Sequence, residues 1–226
     1  MTPLRLVLFD LDGTLVETAP EITDAVNDTL QAFGHAPVDE AQVAAWIGHG
    51  TGELLVQAVA RATGEPPAVV REGPCLKVLG PVYDRHYAAR CGTRSRLYPG
   101  VRETLAALRA RGAHVALVTN KERRYTERVL TAHALAPAFD RVVCGDTLPT
   151  RKPDPAGVLD CLRTFGLGPR DALFVGDSAI DAATARNAGV PVWLLPWGYN
   201  QGRPVAECRP DRVVDDLSEL FAPETA

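Results

Sequence analysis

The 226-residue sequence predicts an α/β fold with a doubly wound parallel sheet, and three observations carry that prediction. Five short apolar stretches rich in β-branched residues and bounded by turn residues have the signature of buried parallel strands: Leu4–Phe9, His114–Val118, Arg141–Cys144, Ala172–Val175 and Val190–Leu195. Helix-period segments lie between the later ones. The first crossover holds far more chain than one helix requires, which marks an insertion.

The elements follow in order. After the first stretch, Thr18-x-x-Glu21 with Pro20 reads as a capping box, and Ile22, Val26, Leu30 and Phe33 repeat at helical spacing until Gly34 stops the run. Leu54, Leu55, Ala58, Val59 and Ala62 form a second apolar face, and Val78–Ala89 is a third helical candidate. Residues 16–97 are therefore assigned to an all-helical cap on two linkers. Residues 1–15 and 98–226 are assigned to the core. There, Val101, Leu105 and Leu108 follow a Pro99-Gly100 turn, and Val158, Leu159 and Leu162 follow Asp154-Pro155. Arg209–Val214 and Asp216–Phe221 read as a last strand and helix.

Composition excludes several classes. Hydrophobic residues make up 46% and charged residues 23%, so a packed interior is expected rather than disorder. The net charge of −4 is interspersed, with no basic block to displace counterions from a polyphosphate, so nucleic acid is not an expected partner. Neither a membrane-spanning length nor a signal layout appears, and the expected location is cytoplasmic, as a monomer or homodimer. Five cysteines without a CxxC or Cys/His cluster disfavour both disulfides and structural zinc. All but three of the 24 basic residues are arginine, lysine occurring only at Lys77, Lys121 and Lys152.

The polar residues at strand ends carry the chemistry. Asp10 and Asp12 leave the first strand as alternate residues into a Gly13-Thr14 turn, which is either a solvated turn or a pair of carboxylates at the sheet edge where α/β proteins bind ligands. Thr119-Asn120 ends the second strand, as a turn or as two donors to a phosphoryl oxygen. Lys152 precedes a helix start, where an ammonium and backbone N–H groups hold anions. Gly176-Asp177-Ser178 and Asp181 end the fourth; Asp177 beside Asp10 describes a Mg²⁺ site, while Ser178 and Asp181 fit a cap of the following helix and stand one layer behind.

Asp10-x-Asp12-Gly13-Thr14, Thr119-Asn120, Lys152-Pro153 and Gly176-Asp177-x-x-x-Asp181, in that order on successive strand ends, resemble the haloacid dehalogenase superfamily of phosphohydrolases. Phe9–Thr18, Trp46–Gly50, Leu117–Lys121, Lys152–Pro155, Phe174–Asp177 and Gly198–Asn200 resemble its phosphoglycolate phosphatase branch. The resemblance implies a Rossmann-like core with a helical cap, Asp10 as nucleophile, Asp12 as general acid and base, and Thr119 and Lys152 on the phosphoryl oxygens. It implies Mg²⁺ held by Asp10, the main-chain carbonyl of Asp12, and Asp177. Gly13, Thr14, Asn120, His49 and Gly50 are candidates for substrate or phosphate contact, and Arg85, His86 or Arg90 for a substrate carboxylate. The expected reaction is hydrolysis of a small phosphate monoester, 2-phosphoglycolate first. A sugar phosphate, pyrophosphate, a phosphomutase reaction, or a phospho-Asp signalling domain are the alternatives. A dehydrogenase is excluded because no GxGxxG follows the first strand.

Overall fold

The structure, a computed structural model, describes residues 4–221; residues 1–3 and 222–226 of the core assignment lie outside the described residues. The central strand β1 (Leu6–Phe9) is flanked by β4 (His114–Val118) and β6 (Ala172–Gly176), and the six-stranded parallel sheet runs β5-β4-β1-β6-β7-β8, with β5 Arg141–Val143, β7 Val192–Leu194 and β8 Arg212–Val213. Every expected strand is present: His114–Val118 has the expected bounds, β6 runs one residue further than expected, and the other four are shortened by one to four residues. The last predicted helix is a 3₁₀ turn at Leu217–Phe221.

Strand β1 shows why the sheet forms here. All four of its side chains are fully buried, as a doubly covered parallel strand requires. Leu6 and Leu8 face one layer with Val158 and Cys161 of α8 (Ala156–Phe165) and Ala182 and Ala185 of α9 (Ala179–Ala188). Val7 and Phe9 face the other, with Leu105 and Leu108 of α6 (Val101–Ala110) and Val129 of α7 (Arg123–Ala132). Each such side chain stabilises the fold by about 1.5–3 kcal/mol. In α8, Leu159 turns outward and is exposed, so only Val158 and Leu162 of the expected face pack inward.

The inserted segment begins and ends in a two-stranded antiparallel ribbon, β2 (Val16–Glu17) against β3 (Arg96–Leu97). Between them lie α1 (Ala19–Ala32), α2 (Glu40–Ala44), α3 (Thr51–Thr63), α4 (Pro67–Glu72) and α5 (Cys75–Arg90). Ile22, Val26 and Leu30 of α1 pack in the same cluster as Tyr83 and Tyr87 of α5, and Val56, Val59, Val70 and Leu79 form a smaller core of their own.

The expected capping box at Thr18 and Glu21 does not form. Thr18 makes no side-chain cap bond, and its hydroxyl instead donates to Asp12 Oδ1 at 2.8 Å. Glu21 is fully buried, and its Oε2 accepts the backbone N–H groups of Gly92, Arg94 and Ser95 at 2.8–3.3 Å. The partners of Glu21 are more than 70 residues away in the chain, and no local pattern announces them. Among the described residues no helix is long and apolar enough to cross a membrane, and all five cysteines are free thiols.

Candidate active site

Strand order reverses on either side of β1, since its neighbours β4 and β6 lead away in opposite directions; the crevice beyond its carboxyl end is where this architecture binds ligands. Asp10 stands there, buried, with Lys152 Nζ 2.8 Å from its Oδ1. The ammonium also donates to Asp181 Oδ1 at 2.7 Å, and its side chain is only 4% exposed. Burial alone would lower the lysine's pKa, but the two carboxylates outweigh it and hold the group charged well above the usual range.

Asp177, at the end of β6, is fixed from two sides. Thr14 Oγ1 donates to its Oδ1 at 2.5 Å and the Tyr199 backbone N–H to its Oδ2 at 2.6 Å. Asp181 reaches back over the start of α9, where its Oδ2 accepts the N–H groups of Asp177 and Ser178 and the Ser178 hydroxyl. Both oxygens of Asp181 are thereby engaged, so it and Ser178 support the neighbouring groups from behind.

Oxygens of Asp10, Asp177 and Asp181 lie within 4.8 Å of one another. Burial, and then the crowding carboxylates, push Asp10 up to about 6 and Asp177 well above the ordinary carboxylate range. Three buried carboxylates face a single ammonium, and Asp10 Oδ1, although at ion-pair distance from Lys152, makes no hydrogen bond. Hard oxygen donors with an excess of negative charge suit a divalent cation. The raised Asp10 value means that the metal-free fold favours the neutral acid. Its stabilising contribution is therefore complete below the ordinary value of 3.8 and is lost as pH rises through about 6. A divalent cation is accordingly expected to raise the melting temperature more at about pH 8 than at about pH 5. Melting curves with and without cation at both values check this; an equal shift at both would remove the buried cluster as the binding site.

Asp12 turns to the other side. Its carboxylate accepts Thr18 Oγ1 and, through both oxygens, Lys121 Nζ at 2.9 and 3.1 Å. Lys121 is as buried as Lys152, and the Asp12 charge holds its ammonium above the usual range in spite of burial. Sequence reasoning missed Lys121 as a site residue. The available signal was compositional: two of the three lysines in this arginine-rich chain are buried against the paired aspartates.

Several expected phosphate contacts are corrected. The Thr14 hydroxyl is committed to Asp177, and the Gly13 N–H to Val16 O at 2.9 Å. Gly13 serves by clearance instead: at φ +87° a Cβ there would collide with the Asp177 carboxylate and the Tyr199 ring. Asn120 spends both amide N–H groups on main-chain carbonyls, of Gly48 and Lys152, each at 2.9 Å, and so clasps the inserted segment to the sheet edge. Thr119 directly follows β4 and lines the cavity described below. Its Oγ1 accepts the Lys121 N–H at 3.2 Å and gives its own hydrogen to no acceptor among the described residues.

A compact cavity of about 40 Å³ lies between these groups and the insert, lined by Asp10, Asp12, Thr119 and Lys121 on one part and Ile47, Leu54, Tyr83 and Tyr87 on another. Gly50 lines it too, but His49 does not: its ring stands 3.3 Å from the Gln201 amide, on a neighbouring groove with Trp46 and Arg151. Arg90 is drawn away to Asp28 and Asp24, His86 faces Asp28, and neither they nor Arg85 line the cavity. Tyr199 is a second residue that sequence reasoning did not place. Besides holding Asp177, its hydroxyl accepts the N–H groups of Thr18 and Ala19, tying the metal-side loop to the first turn of α1.

A doubly wound sheet with carboxylates and a buried ammonium at its switch point, beside a helical insert, is an arrangement suited to phosphoryl transfer. The chain belongs to the haloacid dehalogenase-like hydrolases, whose family model matches residues 7–195. It is 41% identical over 218 residues to the phosphoglycolate phosphatase of Nitrosospira multiformis, covering 96% of this chain and 94% of that one. It is also 41% identical to phosphoglycolate phosphatase 1 of Pseudomonas aeruginosa, covering 96% and 78%. A crystal structure of a predicted phosphoglycolate phosphatase from Haemophilus somnus superposes with a TM-score of 0.91 at 36% identity, covering 98% of both chains. The protein is thus an enzyme, a phosphatase-like member of that family.

Proposed function

We propose that this enzyme hydrolyses 2-phosphoglycolate to glycolate and phosphate through an aspartyl-phosphate on Asp10, with Mg²⁺ as its metal. The observation that carries the reading is Asp10 itself, a carboxylate buried at the end of β1, with Lys152 on one side and Asp12, two residues on, turned to the other. In the first step an Asp10 oxygen bonds to phosphorus in line with the departing glycolate oxygen. The phosphorus–oxygen bond to glycolate breaks, and the released alkoxide takes a proton from the Asp12 carboxyl. In the second, Asp12 removes a proton from water as its oxygen attacks phosphorus; the bond to Asp10 breaks and phosphate leaves. Lys152 and the free Thr119 hydroxyl hold the equatorial oxygens, where one positioned donor is worth about 2.7–4 kcal/mol of barrier. Asp10, Asp177 and the Asp12 carbonyl would hold the cation, which when bound neutralises charge between the nucleophile and the phosphate dianion.

Residues 16–97 act as a cap on the β2–β3 ribbon, excluding water while the phosphoryl group moves. The small cavity under it and the phosphoglycolate phosphatases at 37–41% identity support a small substrate. A cytoplasmic site of action fits such a substrate. Phosphate release from 2-phosphoglycolate, sugar phosphates and pyrophosphate, with Mg²⁺ or with chelator, tests the proposal. A preference for 2-phosphoglycolate that chelation abolishes is expected. Metal-dependent turnover spread evenly over sugars would overturn the substrate, and a stable phosphoenzyme without release would turn the reading to signalling.

A further inference from the structure

A substrate such as 2-phosphoglycolate brings two anions into the site, and the groups described so far account for only one. Lys152 and Thr119 serve the phosphoryl group, and the arginines expected to meet a second anion lie outside the cavity. The only cationic side chain lining the cavity, among the described residues, is Lys121. Its stem leaves the end of β4 two residues after Thr119, and its ammonium lies 5.0 Å from the centre of the Tyr87 ring. Among the described residues Asp12 is its one hydrogen-bond acceptor, taking it through both oxygens, and an ammonium carries three N–H groups. Part of the lining, from Ile22, Ile47, Leu54, Tyr83 and Tyr87, is apolar or aromatic, and an anion entering against it would be poorly solvated unless it met this charge. The third acid on the cavity besides Asp10 and Asp12, Glu122, accepts the Thr51 hydroxyl at 2.9 Å. The start of α3 borders the same space, and Gly50 at its N-cap provides no side chain to satisfy the first-turn N–H groups, which adds positive potential.

We infer that Lys121 is the specificity residue for the leaving group, binding a carboxylate on the carbon chain of the substrate while Lys152 binds the phosphoryl end. Lys121 lies in the loop after β4 and Lys152 in the loop after β5, both on the same side of β1, and they hold Asp12 and Asp10 respectively. The two buried ammoniums then measure the distance between the two anions of a short bifunctional ester, and the alcohol oxygen that Asp12 must protonate lies between those anions. The inference rests on the proposed function and sharpens it, because it names the feature of the substrate that is read and the residue that reads it.

Lys121→Met in the wild type would leave the Asp12 carboxylate without its partner, so the test uses affinities in an Asp12→Asn background, with Mg²⁺ present. Two ligands are compared there, 2-phosphoglycolate and its neutral counterpart 2-hydroxyethyl phosphate. Adding Lys121→Met is expected to weaken 2-phosphoglycolate by about 10- to 150-fold, the range for a hydrogen bond to a charged group, and to change 2-hydroxyethyl phosphate little. Lys121→Gln, which keeps a donor toward Asn at position 12, supplies the same comparison should the Met variant not fold. Equal losses for both esters, or no loss for either, would overturn the inference and leave Lys121 as a support for Asp12 alone. Turnover of the same two esters by the wild type reports separately on the proposed function. Hydrolysis of both with equal affinity losses removes the Lys121 role only, whereas hydrolysis of neither removes both readings.

Discussion

Asp10→Asn is expected to yield a folded protein whose phosphate release falls by about 10⁴-fold or more, the scale seen when the attacking group of a covalent mechanism is removed. The amide is isosteric but has no anionic oxygen to bond to phosphorus. Folding should survive, because Asp10 is crowded by Asp177 and Asp181 and its burial already favours the uncharged form. Lys152 keeps Asp181 at 2.7 Å as its partner after the change. The metal-free variant should therefore melt at or above the wild-type temperature near neutral pH, while losing part of its response to divalent cation. Steady-state phosphate release, melting curves, and acid-quenched labelling of the wild type with radioactive phosphate check the three parts together. Retained turnover in the variant would remove Asp10 as nucleophile whatever the melting curves show.

Lys152→Met is expected to damage both stability and rate. Among the described residues the ammonium is the one positive charge paired with the buried carboxylates of Asp10 and Asp181, and removing one member of a buried charged cluster costs about 3–5 kcal/mol. Loss of a donor to the transferring phosphoryl group should also lower kcat by about 10²–10³-fold. The two effects are separable. A divalent cation should recover much of the melting temperature, because it supplies charge to Asp10 and Asp177, but should leave the rate low, because it does not replace the ammonium on the phosphoryl oxygens. A variant as stable as the wild type without metal would show that the cluster is not charged as described, and full recovery of kcat by metal would remove Lys152 from the reaction.

The parts of this site that were legible in the sequence are those set by position along a strand. Asp10, Thr119 and Asp177 each directly follow an apolar run that has to be a strand, and the parallel sheet then carries these three ends to one edge, with Lys152 in the loop after β5. Asp181 was equally readable, since its partners at Asp177 and Ser178 are only three or four residues away. What escaped was the destination of each donor. Residue type shows that Thr14, Asn120 and Gly13 can donate, but the acceptors of Thr14 and Asn120 lie 163, 72 and 32 residues away and are chosen by packing. Glu21 fits a helix cap by spacing and was taken by residues 92–95 for the same reason, while Thr18 turned to Asp12, only six residues before it. Lys121 follows Thr119-Asn120 at the end of β4, but only the tertiary pairing with Asp12, 109 residues earlier, shows where its charge goes.

The pairing of β1 also bears on how the chain is made. This wholly apolar strand precedes both of its neighbours, His114–Val118 and Ala172–Gly176, in the chain, so its second edge stays open until β6 has been synthesised. At about 5–20 residues per second, the wait for β6 is on the order of ten to thirty seconds on the ribosome. During that time Leu6–Phe9 has neither a complete sheet nor both helical layers to cover it, and Asp10 directly follows it. The carboxylate cluster at the sheet edge is thus assembled only after β6 has left the ribosome, long after the strand that leads into Asp10.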